Sequence, residues 1–167
     1  MNLDQIPKTD IVLLDANIFI YAILRKSEQC IRLLRRCSEG DVIGVVAMPQ
    51  FAEVVHRLMM FEAHDNGWTQ GGNPAKILSE RPDRIQALSR YAEAAKGLLA
   101  SGLRYEPLLK EDFVSALAVQ RQFGLMTNDA LMVAISERLR IQALASADKA
   151  LSMVRGVILY SPDDLQD

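Results

Sequence analysis

The chain has 167 residues, half of them apolar and 24% charged, with a formal net charge of -2; this suits one folded domain that buries its core without disulfides or structural metal, and excludes global disorder. The longest apolar runs, IVLL at 11–14 and VIGVVAM at 42–48, are far shorter than the roughly 20 residues that cross a bilayer, and the acid-bearing start MNLDQIPKTD lacks the apolar centre of an export signal, so a cytoplasmic protein is expected. The slight negative charge gives no overall pull on a polyanion, which leaves nucleic-acid binding to a local basic patch or to bound cations.

IVLLD at 11–15 reads as a buried strand whose C-terminal end opens onto a polar site. Helices are expected from Asn17 to Leu24 and from Ser27 to Ser38, the second carrying Ile31, Leu34 and Cys37 at three-residue spacing and stopping at Gly40. Cys30 and Cys37 then stand about 10 Å apart along the helix, too far for a disulfide, and read as two buried thiols. With only His56 and His64 available, neither near a cysteine in sequence, zinc is not expected and any metal should bind oxygen.

VIGVVA at 42–47 is the next strand, and Pro49 opens a helix through Phe51, Val54, Val55 and Leu58 that carries Glu53. GWTQGGNP at 67–74 has too many turn formers for regular structure. Ile85, Leu88, Ala92, Ala95 and Leu99 recur at alternating three- and four-residue spacing, which predicts one helix over 82–101 ended by Ser101 and Gly102. LRYEPL is a short strand, 111–123 and 128–140 are helices, and IQALAS and VILY are the last two strands.

Strands separated by helices argue for a parallel sheet with helices on both faces, and in such sheets sites form beyond the carboxyl ends of the strands. Asp15 ends the first strand, Asp148 follows the fourth by two residues, Glu53 lies one turn into the helix after the second, and Asp129 begins a helix. Singly, each has an ordinary role as a strand end, a helix cap or a solvated helix residue. Jointly, carboxylates crowded into one cleft require raised pKa values or bound cations, and hard divalent ions suit an all-oxygen site. GxSxG, GxxxxGK[ST] and GxGxxG are all missing, so the acids are the chemical candidates.

The segments LLDANIFIYA, MPQFAEV, LMTNDALMVAIS and ASADKAL resemble, in order and near the customary separations, the four signature segments of PIN-domain ribonucleases, most closely the toxin (VapC-like) component of VapBC toxin–antitoxin modules. The resemblance implies a three-layer α/β/α fold with a central parallel sheet of about five strands. It implies residues 1–167 as a single PIN-like domain, with an enlarged helical and loop segment at about 62–102. Carried over, Asp15, Glu53, Asp129 and Asp148 are catalytic residues and ligands of Mg²⁺ or Mn²⁺, supported by Asn17 and Ser146. The activity implied is endonucleolytic hydrolysis of RNA by metal-activated water, controlled by a cognate antitoxin, in a homodimer. Two features depart from the family pattern: the long 62–102 segment, and Met48 where a hydroxyl residue often precedes the proline, with Gln50 as the nearby polar group. The alternatives are a catalytically weak PIN-like binding or assembly module and a non-toxin housekeeping RNA nuclease.

Arg25, Lys26, Arg32, Arg35 and Arg36 follow the first acid closely; Arg25 and Lys26, nearest to it, are the candidate RNA-binding pair, against the ordinary reading of a solvated helical face. Trp68 either stacks on a base or packs under its loop. His56, three residues after Glu53, reads as structural.

Overall fold

A computed structural model describes residues 1–165. Its centre is a sheet of β1 (Ile11–Leu14), β2 (Ile43–Ala47), β3 (Arg104–Glu106), β4 (Ala143–Ala145) and β5 (Ile158–Tyr160), in the order β3-β2-β1-β4-β5. Every pairing is parallel. β1 lies in the middle, with Leu13 beside Val45 on one side and Leu144 on the other.

Because side chains alternate along a strand, the sheet divides the core in two. Val12, Leu14 and Val46 face a layer containing Phe19, Leu33, Val54 and Leu58, supplied by α1 (Ala16–Ile23), α2 (Glu28–Ser38) and α3 (Met48–Asp65). Leu13, Val45, Ala47 and Leu144 face Val119, Met132, Val133 and Ile135 of α7 (Lys110–Phe123) and α8 (Thr127–Leu139). Helices on both faces of a five-stranded parallel sheet give the expected three-layer α/β/α architecture. Gly44 in β2 is required by close packing: a Cβ there would fall 2.7 Å from a Leu103 methyl and 2.9 Å from the Cys37 sulfur. Cys30 and Cys37 are buried and free, and burial pushes both thiols up to about 11.

The segment over 62–102 departs from the expected pattern. In place of one helix over 82–101 there are α5 (Pro82–Ala87) and α6 (Arg90–Leu99), separated by extended backbone at Leu88, and a further short helix, α4 (Pro74–Ser79), for which no expectation was made beyond Pro74, precedes them. The break has a physical cause. The buried carboxylate of Glu62 on α3 accepts the backbone N–H groups of Ser89 (2.9 Å), Arg90 (3.1 Å) and Tyr91 (2.8 Å), donors that a continuous helix would give to its own carbonyls. The phase therefore resets at residue 89: Leu88 and Ala95 are buried, whereas Leu99 is 53% exposed. This segment builds a satellite core from Ala63, Leu78 and Leu88, with Trp68 packed against it. The Trp68 ring lies 5.6 Å from the Arg84 guanidinium.

Candidate functional site

β1 stops at Leu14 and Asp15 becomes the N-cap of α1. Register then decides its neighbours, since Leu14 pairs with Ala145 and brings Ser146 beside it. The Ser146 hydroxyl donates to the Asp15 carboxylate, which also accepts from the Asn17 side-chain amide and the Ala16 N–H. Ser146 in turn accepts from the Asp148 N–H at 2.9 Å and from the Asn17 amide at 3.0 Å, while Asn17 Oδ1 accepts from the Ala147 N–H at 3.1 Å. One network thus orients Asp15 and pins the loop carrying Asp148. Asp148 also caps the short 3₁₀ turn Lys149–Met153, accepting the Ala150 N–H at 2.8 Å.

Across the cleft, Glu53 projects from the second turn of α3. Asn128 at the start of α8 donates its side-chain amide to Glu53 at 2.7 Å, and the buried Gln50 donates to the Asn128 carbonyl at 3.0 Å. Two helix starts are thereby tied together, and Asp129 rides on the second. Asp15, Glu53, Asp129 and Asp148 all line one cleft of about 280 Å³, with Asn17, Arg57, Met126 and Asn128. Asn17 and Ser146 stand behind Asp15. Arg25 and Lys26 follow the far end of α1, exposed; an eight-residue helix puts them about 12 Å along its axis from Asp15. Arg32 pairs with Asp4, and Arg36 donates to the Ile6 carbonyl, so part of the early basic cluster is structural. His56 is exposed and does not line the cleft.

Arg57, Asn128 and Met126 are cleft residues that sequence reasoning did not select. Arg57 had a signal, being four residues after Glu53 on one helix face. Asn128 had only its adjacency to Asp129.

The electrostatics follow from crowding. Burial, then the charges of Asp15, Asp148 and Glu53, push the Asp129 carboxyl up to about 6. Asp15 is raised by burial, which outweighs the opposing hydrogen bonds from Ser146 and Ala16 and is reinforced by Glu53 and Asp148. Such a donor set, all oxygen and anionic, suits hard divalent cations. As the side chains stand, no three His, Cys, Asp or Glu among the described residues are grouped tightly enough to hold one ion: Asp15 and Glu53 are turned toward Ser146, Asn17 and Asn128.

A family model described as PIN domain matches residues 12–157. No curated protein sequence matches the chain. Among solved structures, a toxin–antitoxin complex from Klebsiella pneumoniae is similar at 15% identity and a TM-score of 0.56, covering 88% of this chain and 95% of that one. VapBC2 from Rickettsia felis, bound to a DNA fragment from their promoter, is similar at 15% identity and a TM-score of 0.56, covering 92% and 99%. PAE2754 from Pyrobaculum aerophilum is similar at 13% identity and a TM-score of 0.52, covering 95% and 90%. At these identities the likeness is one of fold.

Proposed function

The chain belongs to the PIN-domain family, and on that premise we propose that it is a divalent-metal-dependent endoribonuclease, a cytoplasmic toxin held in check by an antitoxin, formed by residues 1–167 as one domain. The observation that carries this reading is the convergence of Asp15, Glu53, Asp129 and Asp148 on one cleft, where burial and the other three acids push the Asp129 carboxyl up to about 6. Repulsion of that kind is relieved by cations.

Asp15, Glu53, Asp129 and Asp148 are the residues that would hold Mg²⁺ or Mn²⁺. When bound, such ions supply a Lewis acid for the phosphate oxygens and lower the pKa of attacking water. The chain's own groups do the positioning. Ser146 and Asn17 fix the direction of Asp15, and Gln50 with Asn128 fixes Glu53 against the start of α8. Asp129 must release its proton as a cation arrives, so binding strengthens as pH rises through about 6. Arg25 and Lys26, exposed beyond α1, are proposed to hold RNA backbone away from the cleft.

An apolar groove lined by Ile23, Leu24, Leu58, Phe61 and Tyr91 lies at the far end of α1 and is the proposed seat for an antitoxin helix. The similar structures from Klebsiella, a toxin–antitoxin complex, and from Rickettsia, VapBC2, support the partner class. Homodimerisation is proposed through α7, whose Phe113, Val114 and Leu117 are 44%, 65% and 61% exposed, rather than through the middle helix, which is broken in two. A binding or assembly module is the second reading, favoured by the ungrouped carboxylates.

The test is purified protein incubated with RNA, in Mn²⁺ and in EDTA, beside Asp129→Asn. Cleavage by wild type in Mn²⁺ alone is expected. Cleavage that survives in EDTA or in the variant overturns the metal-nuclease reading, and a folded wild type inert toward RNA but binding Mn²⁺ favours the module.

A further inference from the structure

We propose that Arg57 is a phosphate-binding residue of the cleft, parked on Glu53 while the acids are without cations and released to an RNA phosphodiester when they are filled; this rests on the nuclease reading above. Arg57 is the cationic residue among those lining the acid cleft. Side chains on a helix lean toward its N-terminus, and α3 starts at the carboxyl edge of the sheet. The Arg57 side chain therefore reaches back toward the acids and not away from them.

Its hold on Glu53 is loose. The separation is 3.7 Å and the Arg57 side chain is 48% exposed, beyond hydrogen-bonding distance. Arg32, Arg90 and Arg138, in contrast, sit 2.7, 3.0 and 2.7 Å from Asp4, Asp65 and Asp112. Glu53 does not depend on Arg57 for a partner either, because Asn128 already donates to it at 2.7 Å. A guanidinium has five donors and a planar fork matched to phosphate, and most of that capacity is free here.

Coulomb's law makes the two roles exclusive. A divalent cation entering beside Glu53 repels the guanidinium and takes over its counter-charge. The displaced arginine remains tethered at the rim, where an RNA phosphate must pass a wall of carboxylates. Arg57 thus opposes metal binding and favours RNA binding, two effects of opposite sign that an ordinary helix-surface ion pair does not produce.

The experiment measures Mn²⁺ affinity by calorimetry, and affinity for a fluorescein-labelled phosphorothioate oligoribonucleotide across a salt series in Mn²⁺, for wild type, Arg57→Gln and Arg57→Lys, each checked for folding by circular dichroism. Arg57→Gln should bind Mn²⁺ about two- to fivefold more tightly, as loss of a half-exposed counter-charge allows. It should bind the oligonucleotide about fivefold more weakly, with the salt slope reduced by about 0.7 for one lost phosphate contact. Arg57→Lys should restore the slope. Equal Mn²⁺ affinity, or an unchanged slope, in Arg57→Gln overturns the inference while leaving the nuclease reading intact. A wild type that binds neither probe overturns that reading, and the inference with it.

Discussion

Glu62 and Asp129 are carboxylates withdrawn from bulk water, yet their pKa values move in opposite directions. Burial raises Glu62, but the amides of Ser89, Tyr91 and Arg90 and the Arg90 charge outweigh it and leave the carboxyl below its usual range. Asp129 meets burial plus three like charges, with no resolved opposing effect, and rises to about 6. Asp112 is buried too, and like Glu62 it is supplied with donors, the Arg138 guanidinium and the Leu109 N–H, which make it a structural acid by its bonding. An acid that closes a helix break or an ion pair serves the fold, whereas acids gathered without enough donors keep a capacity for ligands.

Replacing the crowded acids should separate activity from stability most sharply. Asp15→Asn is expected to lose RNA cleavage to background in a gel assay while keeping a wild-type circular dichroism spectrum. A variant that cleaves normally would place the cleft's acids with the structural ones.

On the other side of the comparison, Glu62→Ala strands three amides and should cost about 3 kcal/mol by urea denaturation, with Mn²⁺ affinity unchanged. Because the folded pKa of Glu62 is lowered, its stabilising effect is present above the unfolded value of 4.5 and is lost as pH falls through the folded one. Glu62→Gln should therefore flatten the acid limb of the stability curve.

For Asp129 the sign reverses. The folded chain keeps a proton between 3.8 and about 6 that the unfolded chain has released, so stability falls as pH rises through that window. Metal-free Asp129→Asn should exceed wild type by about 1–2 kcal/mol above pH 6 and match it near pH 4. Melting curves at the two pH values decide it, and equal offsets would mean that the crowding carries no energy.

Ser146→Ala removes a donor from Asp15 without changing charge, and should weaken Mn²⁺ binding about tenfold, as loss of a supporting hydrogen bond does. Wild-type affinity in that variant would show that Asn17 alone orients the carboxylate.

The strands and most helices were legible because period-two and period-3.6 patterns survive wherever an element packs on one sheet. IVLL, VIGVVA and IQALAS all yielded their strands to within a residue or two. The break after Leu88 was not legible, since its cause is Glu62, 27 residues before Ser89 in the chain, and an apolar stripe carries no trace of a distant carboxylate. The acids could be nominated from their places after strands and at helix starts. Their arrangement could not, because it depends on the pairing of Leu14 with Ala145 and on the Gln50–Asn128–Glu53 link between α3 and α8. Spacing alone does not single out Arg57, because an acid and a base four residues apart usually signify a solvated pair.

The order of strands in space differs from their order in time. β4 pairs directly with β1, yet 131 residues separate Ser146 from Asp15 in a chain made from one end, and Asp15 has neither the Ser146 hydroxyl nor the Asp148 charge beside it until β4 docks. Domains fold as units during synthesis. On a growing chain the four-acid cleft therefore stays incomplete through the synthesis of everything between β1 and β4, and it closes only when β4 has emerged and docked.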